Sequence, residues 1–383
     1  MRVRTPGRWG AVLVAAVVTA GLAGCGGSSV AAEPSGVLAV VVGGHAGAPA
    51  PVLTGAAAAA RDLAVAQQSM LSVVVADGAP TPVGEPVRLA GGSAEQRAEN
   101  RQRVDDAVSG VRAQAPESDL LTALGVAARS VPPGPGLRTL VVLDPGLSTA
   151  GPMDLTRPGL LDAEPKEVAD SLADAGLLPA LDGFSVVFQG LGQAVLPQAP
   201  PDEARRTQVE QLWTTIALRS GAVAVELDDV RDPAPLEGPL PAVRSVDVGP
   251  GVSCSPQQLV LRGGDVGFRP GEIEFLDRAR VIEVLGPFAR QMQERQIIGE
   301  VFGFHPAVGD PERVVTLSHE RAQQVANVLI ELGVDVDNLR VLGFGSSSED
   351  YVPDRDAAGR LDPAAAALNR VVTIDFTADV DCG

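Results

Sequence analysis

The residues best suited to chemistry lie in the last third of the chain. Three short runs stand out there: residues 317–322 (LSHERA), 343–345 (GFG) and 369–372 (NRVV). Arg321 and Arg370 bring guanidinium groups, whose planar fork binds a carboxylate through two parallel hydrogen bonds. A site built on these arginines would bind an anionic group, and a group of opposite charge beside them would suit a zwitterionic ligand.

In order and spacing, these runs resemble the OmpA-like peptidoglycan-binding domain, whose pattern is GHTD, LSxxRA, GxG and NRRVE. That family binds the diaminopimelate side chain of the wall peptide through the aspartate of GHTD and the arginine of LSxxRA. The resemblance implies that Arg321 binds the ligand, because it keeps the fifteen-residue spacing from position 306. By their matching positions, it also assigns Gly303, Asn369 and Arg370 to the ligand site.

The sequence departs from this pattern at the family's ligand-binding aspartate. Pro306 occupies that position, and the two residues before it also differ from the pattern. The loss of one charge-assisted hydrogen bond costs about 1.5 to 3 kcal/mol, which weakens ligand binding. We expect Asp310 or Glu312, in the segment predicted as the following loop, to receive the amine of the ligand. The alternatives are a surface salt bridge for Arg321 and a structural role for Arg370.

The amino terminus predicts a location in the cell envelope. Three arginines at positions 2, 4 and 8 precede an apolar run at 11–24, which ends in Leu-Ala-Gly before Cys25. This stretch resembles a bacterial lipoprotein signal, which implies that Cys25 is lipidated and begins the mature protein. The alternatives are an ordinary secretory signal or a short membrane anchor. The Gly, Ser, Ala and Pro content of residues 26–36 predicts a flexible tether.

The chain contains three cysteines. If Cys25 takes the lipid, Cys254 and Cys382 remain as a pair in an oxidising compartment, and we expect them to form a disulfide. In the chain-entropy model, a closed loop on the order of 100 residues stabilises the fold by about 4 to 5 kcal/mol. Neither cysteine belongs to a CxxC motif, so a zinc site is not expected.

The charge balance is strongly acidic, with 30 Lys and Arg against 48 Asp and Glu, a formal net charge of −18. Such a surface repels phosphate backbones and argues against nucleic-acid binding. No second apolar run is long enough to cross a bilayer, so we expect a soluble body that its lipid holds to the membrane. The abundance of Ala, Gly, Val and Pro, with a single lysine, resembles an actinobacterial composition.

Residues 37–232 alternate short apolar runs with helical segments. Strands are predicted at 37–42, 71–76, 140–143, 184–188 and 223–227, and helices at 54–69, 93–114, 118–129 and 202–220. This alternation predicts an α/β domain with a doubly wound parallel sheet, covered by helices on both faces. A ligand of such a sheet binds beyond the carboxyl ends of its strands, here the loops after Val42, Leu143 and Phe188.

The order of these elements resembles a von Willebrand factor A type fold. The metal site of that family begins with DxSxS after the first strand, where this chain has residues 43–45 (Gly-Gly-His). Because no carboxylate or hydroxyl stands there, we expect neither a metal nor another cofactor. Asp144 lies near the position of the family's last aspartate. We interpret it as a turn residue with the Pro-Gly that follows, and His45 as a loop residue.

A Pro- and Gly-rich segment at 233–253 predicts an interdomain linker. Residues 254–383 then fit a smaller mixed β/α domain of the OmpA-like kind. Its strands are predicted from residue 259 and at 297–302, 340–343 and 371–376, and its helices at 276–295 and 318–332. The acidic stretch 346–363 lacks the ligand spacing of an EF-hand loop, so we interpret it as a solvated insertion.

The sequence therefore predicts a non-catalytic envelope protein, lipid-anchored to the outer face of the cytoplasmic membrane. Its OmpA-like domain would contact peptidoglycan, and its α/β domain would serve presentation or interaction. The alternative is an interaction module for unknown envelope proteins, in which the OmpA-like domain has lost diaminopimelate binding. An enzyme is not expected, because the chain has no GxSxG elbow, no plausible cysteine nucleophile and no HExxH motif.

Overall fold

The structure is a computed structural model. It describes residues 36–131, 136–249, 251–263, 266–269, 271–349 and 351–382. The predicted signal at 1–25, its lipidation site Cys25 and the predicted tether up to residue 35 lie outside the described residues. Within the described ranges, no helix combines the length and the apolar character that crossing a membrane requires.

The larger of two sheets is built mostly from parallel strands. Its strands are β1 (Gly36–Val42), β2 (Met70–Val75), β3 (Thr81–Pro82), β4 (Val87–Arg88), β5 (Leu137–Leu143), β6 (Phe184–Gln189) and β7 (Ala224–Asp228). They follow the order β3-β2-β1-β5-β6-β7, and β4 also pairs with β2. The long strands pair in parallel, whereas β3 and β4 run antiparallel to β2. The strand order reverses between β1 and β5, which makes that point the topological switch point of the sheet.

Helices cover both faces of the larger sheet, so every residue of β1 is buried. These helices are α1 (Gly55–Ala66), α2 (Ala94–Ser109), α3 (Leu120–Arg129), α4 (Pro165–Asp174) and α5 (Glu203–Arg219). Since side chains alternate along a strand, the odd-numbered residues 37, 39 and 41 of β1 share a core with α3, α4 and α5. The even-numbered residues 38, 40 and 42 share a second core with α1 and α2. The predicted doubly wound α/β sheet is confirmed.

Two helices of this part differ from the prediction. The sequence analysis did not predict α4, because its sequence is polar apart from Val168, Ala169 and Leu172, which face the core. Pro165 begins it, and its fixed φ and missing N–H suit the first position of a helix. The second helix ends at Ser109, five residues before its predicted end, and Gly110 takes the cap position.

The smaller sheet is mixed. Its strands are β8 (Val252–Ser255), β9 (Gln258–Arg262), β10 (Gly299–Phe304), β11 (Leu339–Gly345) and β12 (Val371–Phe376), in the order β11-β10-β12-β9-β8. The pairing of β10 with β11 is parallel, and the other described pairings are antiparallel. Helices α6 (Arg278–Arg295) and α7 (Pro311–Glu331) enclose an apolar core with this sheet, and the short α8 (Pro363–Leu368) precedes β12.

One predicted boundary and one interpretation in this part are wrong. Helix α7 begins at Pro311 rather than at residue 318, because Oδ1 of Asp310 accepts the backbone N–H groups of Glu312 and Arg313. Glu312 therefore lies in the first helical turn and not in a loop. The stretch 346–363 is not fully solvated either, since Asp354 is buried and accepts the backbone N–H of Ala307.

The two parts of the chain share a core. Ala364 and Ala367 of α8 belong to the same buried cluster as residues of α4 and α5. The predicted linker at 233–253 is packed as well, since Val246 is buried and its backbone pairs with the side-chain amide of Gln198. A disulfide joins Cys254 of β8 to Cys382 beyond β12, as the sequence analysis predicted.

Candidate functional site

A cavity of about 1080 Å³ lies between the first turns of α4 and α5 on one side and the small sheet with α7 on the other. Arg321 of α7 and Arg370, which directly precedes β12, both line it. On the opposite wall stand Glu164 and Glu167 at the start of α4. The fold thus brings the two predicted arginines together, and it places two carboxylates from a distant part of the sequence near them.

Arg321 is held at the cavity wall by the segment that precedes α6. Its Nε donates to the carbonyl oxygen of Glu272 at 2.9 Å, and its Nη2 donates to that of Arg269 at 3.1 Å. The guanidinium carbon lies 5.1 Å from the ring centre of Phe268. Burial, followed by the charge of Arg370, lowers the pKa of Arg321 to about 10, so the group stays charged at neutral pH.

Arg321 is 5% exposed, and among the described residues it has no carboxylate within ion-pair distance. The alternative of a surface salt bridge therefore does not fit its geometry. A buried guanidinium whose charge is not neutralised by the protein would be stabilised by a bound anion. The backbone carbonyls fix the direction of the group, and the remaining N–H donors are left for such a ligand.

Arg370 is hydrogen-bonded to a residue on the opposite wall of the cavity. Its Nη2 donates to Oε1 of Glu167 at 2.5 Å, although the two residues stand 203 positions apart. The pair has a single hydrogen bond, because Nη1 of Arg370 and Oε2 of Glu167 are buried without a partner. This contact joins α4 to the small sheet and agrees with the structural alternative for Arg370.

Glu164 is the other acidic residue of this wall. Burial raises the pKa of its carboxyl, the charge of Arg370 opposes that effect, and the charge of Glu167 adds to it. In the part of the chain that the structure describes, no hydrogen bond to this carboxylate is present, whereas Glu167 is paired. Glu164 is therefore a partly buried acid without a fixed partner, beside two arginines.

The loop after β10 lacks the carboxylate of the family pattern. Pro306 has no polar side chain, and the preceding His305 donates from Nδ1 to the Pro306 carbonyl oxygen at 2.9 Å. Burial lowers the pKa of His305 to about 4, and the charges of Arg321 and Arg370 contribute in the same direction. His305 is therefore neutral at physiological pH, and it is buried.

The three other predicted ligand residues make structural contacts. A Cβ at Gly303 would stand 1.8 Å from the carbonyl oxygen of Ser318, so glycine lets α7 approach β10 closely. Asn369 is buried and exchanges two hydrogen bonds with the backbone of Val352. Asp310 lines the cavity, but one of its oxygens caps α7. Gly303 and Asn369 do not line the cavity; they position the elements around it.

The switch point of the larger sheet holds a different arrangement. His45 after β1 and Asp144 after β5 form a buried pair, with 3.1 Å between Nε2 and Oδ2. Oδ1 of Asp144 accepts the N–H of Gly146 at 2.7 Å, which is the predicted turn. Burial alone would lower the pKa of His45, but the hydrogen bond and charge of Asp144 outweigh it and raise the pKa. His45 is thus a buried hydrogen-bond partner of Asp144, which its interpretation as a loop residue missed.

Neither the cavity nor the switch point of the larger sheet forms a metal site. Across the described ranges, no group of three His, Cys, Asp or Glu side chains could hold a metal ion. The sequence analysis missed Glu164 and Glu167, although an acidic residue followed by Pro165 is a helix-start signal that would have located α4. No sequence signal connects that helix to Arg370, because the contact depends on how the two parts pack.

Solved structures of several other proteins are similar to part of this chain. The periplasmic domain of Helicobacter pylori MotB is similar at 20% identity, over 34% of this chain and 82% of that chain, with a TM-score of 0.26. The peptidoglycan-associated lipoprotein from Burkholderia pseudomallei is similar at 19% identity, over 32% and 90%, with a TM-score of 0.25. An outer membrane protein from Borrelia burgdorferi is similar at 22% identity, over 32% and 93%, with a TM-score of 0.23.

These structural similarities do not indicate a function for this chain. Among curated proteins, none matches the chain. The resemblance of residues 37–232 to a von Willebrand factor A domain stays a prediction. The match that covers β10, α7 and β11 is a sequence match to a family, and it includes Arg321: residues 268–360 of this chain form an OmpA family domain.

Proposed function

We propose that this chain is a non-catalytic protein of the cell envelope whose OmpA family domain binds the stem peptide of peptidoglycan. The observation that carries this proposal is Arg321, a buried and charged guanidinium that lines a cavity of about 1080 Å³ without an acidic partner of its own among the described residues. The family match over residues 268–360 supports it, because the resemblance implies that the arginine of LSxxRA binds diaminopimelate. Arg321 stands at the position of that arginine.

The chemistry of binding follows from the contacts of Arg321. Two of its donors are engaged by the carbonyl oxygens of Glu272 and Arg269, which hold the guanidinium in one orientation. The ligand's carboxylate would accept from the remaining N–H groups and neutralise the buried charge. A charge-assisted hydrogen bond of this kind contributes about 1.5 to 3 kcal/mol. No bond is made or broken in the ligand, so the protein acts as an anchor and not as a catalyst.

We further propose that the chain is held to the outer face of the cytoplasmic membrane by a lipid on Cys25, with residues 26–36 as the tether. The lipobox before Cys25 supports the anchor. The disulfide between Cys254 and Cys382 supports an oxidising compartment, because such bonds persist outside the cytoplasm. In this arrangement residues 37–232 and 254–383 are the two domains, and residues 233–253 connect them.

A second candidate is a module that binds envelope proteins instead of peptidoglycan. Two observations favour it. Pro306 stands in place of the family's aspartate. Arg370 is already hydrogen-bonded to Glu167. If both effects abolish wall binding, the cavity would accept an acidic group from a protein partner. The two candidates differ in whether the isolated wall polymer is bound.

A sedimentation assay tests the proposal. The purified chain is incubated with insoluble peptidoglycan, and the fraction that sediments is compared between wild type, Arg321→Ala and a control, Arg290→Ala, which removes an exposed arginine of α6 outside the cavity. We expect wild type and Arg290→Ala to sediment alike and Arg321→Ala to lose at least about tenfold in affinity. Equal sedimentation of all three would remove Arg321 as the anchor. Sedimentation of none would favour the protein-binding module.

A further inference from the structure

We propose that α4 completes the ligand site, so that the carboxylate of Glu164 binds the ammonium group of a zwitterionic ligand whose carboxylate is bound by Arg321. This inference rests on the function proposed above and specifies which group recognises the amine. The ligand end would be an amino acid with free ammonium and carboxylate groups, as at the side chain of diaminopimelate. The two parts of the chain would then share one binding site.

Among the described residues, the small-sheet wall of the cavity supplies no free acid. Pro306 replaces the family's aspartate. The two described acidic residues of this wall are Asp277 and Asp310, and both cap helices: Asp277 accepts the N–H of Arg280, and Asp310 accepts those of Glu312 and Arg313. A carboxylate that caps a helix already stabilises that helix terminus, and its use for a ligand would weaken the cap.

Most acidic residues of the opposite wall are also engaged. Asp162 is paired with Arg205, and Glu167 is paired with Arg370. Asp202 caps α5, and Glu203 in the first turn of that helix is exposed to solvent. Glu164 alone among the described acids of this wall is partly buried and has neither a cap nor an ion pair.

The electrostatics of Glu164 fit a cationic ligand. Burial raises the pKa of its carboxyl, and the neighbouring Glu167 adds to the rise. A carboxylate in that state lacks the solvation it would have in water, so a ligand's ammonium group would supply the missing partner. Arg370 lies close enough for its charge to act on Glu164, but its hydrogen bond goes to Glu167.

The position of Glu164 is fixed by the packing between the two parts. Glu167, one helical turn further along α4, is bound to Arg370. Arg157 forms an ion pair with Asp362 at the cap of α8, and the alanines of α8 lie in the core shared with α4. The start of α4 is therefore tied on two sides to the segment that contains α8 and Arg370. Both Glu164 and Arg321 face the same cavity, which is large enough to hold an amino acid side chain between them.

The test uses the full chain and two preparations of insoluble peptidoglycan. One has free diaminopimelate amines, and in the other these amines are acetylated while the carboxylates are kept. Four proteins are compared: wild type, Glu164→Gln, Arg321→Ala and the control Asp174→Asn, which removes an exposed charge from the same helix outside the cavity. The apparent Kd is measured by sedimentation, and the unfolding midpoint of each variant checks its fold.

We expect acetylation to weaken binding of wild type and Asp174→Asn by about tenfold or more, the effect of one charge-assisted hydrogen bond. Glu164→Gln should bind the free-amine polymer with the same loss and show no further loss on acetylation. Arg321→Ala should bind both polymers weakly. If Glu164→Gln is destabilised, its binding is measured at a temperature at which it is folded. The response of wild type to acetylation shows, without any variant, whether the amine is recognised.

The outcomes separate the inference from the function on which it rests. Wild-type binding that ignores acetylation, or an undiminished acetylation effect in Glu164→Gln, would overturn the role of Glu164 while leaving Arg321 as an anchor. Failure of wild type to sediment with either polymer would overturn the proposed function itself, and the inference with it.

Discussion

The crevice at the switch point of the larger sheet has a volume of about 10 Å³, whereas the cavity beside the small sheet has one of about 1080 Å³. Open α/β sheets bind ligands at the switch point, so the first crevice is where a ligand would be expected. In this chain residues 243–246, which we call the covering segment, lie over it. The large cavity instead lies against the OmpA family domain.

The two places also differ in how their charges are satisfied. In the crevice, His45 and Asp144 are hydrogen-bonded to each other, and Asp144 accepts a further backbone N–H. In the cavity, Arg321 has no acidic partner among the described residues and Glu164 has no cation bound to it. Perturbed ionisable groups cluster at functional sites, and here the perturbed and unpaired ones are in the cavity. The difference supports our proposal that the ligand binds in the cavity and not in the crevice.

The largest expected effect is the loss of Asp144. Asp144→Ala leaves His45 as a buried base without its anion and deprives the Gly146 N–H of its acceptor. The removal of one partner of a buried pair costs about 3 to 5 kcal/mol, so we expect the free energy of unfolding to fall by that amount in urea titrations. Sedimentation of the folded variant with peptidoglycan should match that of wild type.

The exposed Asp174→Ala serves as the control, because it removes the same type of side chain from a solvated helix end. A destabilisation below about 1 kcal/mol for Asp144→Ala would contradict the structural role of the crevice. A loss of sedimentation at unchanged stability would transfer ligand binding to the crevice and reverse the comparison.

The pH dependence of His305 tests the cavity. Its pKa is lowered to about 4 from an ordinary value of 6.5, first by burial and then by the charges of Arg321 and Arg370. The unfolded state therefore binds more protons between these pH values, so the contribution to stability is complete above pH 6.5 and is lost as the pH falls toward 4. We expect a loss of up to about 3 kcal/mol from this group.

The measurement is the free energy of unfolding of wild type and His305→Asn at pH values from 7 to 4. Since carboxylates titrate in both proteins, the difference between the two curves isolates His305. His319→Asn, which alters an exposed histidine of α7, provides the matched control and should follow the wild-type curve. If the free energy of unfolding changed with pH in the same way for wild type and His305→Asn, the cavity would not disfavour the charged form of His305.

The sequence predicted most of the strands and helices around the crevice and the cavity, but fewer of the charged residues and contacts inside them. The strands of the larger sheet are continuous apolar runs, so periodicity was sufficient to find them. Arg321 was found because its position matches a family pattern. Helix α4 was missed because its three buried positions stand in a polar sequence, and Glu164 was missed with it. The contact of Glu167 with Arg370 spans 203 positions, and no local pattern encodes it.

Gln198 tests whether the covering segment closes the crevice. Its side-chain amide accepts from the N–H of Val246 at 2.8 Å and donates to the carbonyl oxygen of the same residue at 3.0 Å. Gln198→Ala leaves both backbone groups without these partners, so we expect a loss of about 1 to 2 kcal/mol in the free energy of unfolding. Trypsin should also cleave after Arg244 faster than in wild type, because the segment is released.

The control for this change is Gln102→Ala, on the exposed surface of α2. It should alter neither the stability nor the cleavage rate by a comparable amount. Faster cleavage after Arg244 without a change in peptidoglycan sedimentation would strengthen the comparison, because the crevice would open while the cavity kept its ligand. An unchanged cleavage rate in Gln198→Ala would show that other contacts hold the segment.

The smallest expected effect concerns the ring beneath Arg321. The guanidinium carbon stands 5.1 Å from the ring centre of Phe268, which stacks on Phe275 at 4.6 Å. Phe268→Leu keeps an apolar side chain but removes the cation–π contact, worth about 0.5 to 1 kcal/mol, so sedimentation affinity should fall by about two- to fivefold. Phe288→Leu, whose ring stacks on Phe376 outside the cavity lining, is the control and should leave affinity unchanged.

A double-mutant cycle decides whether Phe268 acts through Arg321. In the Arg321→Ala background, Phe268→Leu should cause no further loss, because the contact that it removes is already absent. Additive losses would mean that Phe268 contacts the ligand itself, and the cavity would then recognise an apolar part of the wall peptide as well as its charges. No loss in either background would leave the two backbone carbonyl contacts as the interactions that orient the guanidinium.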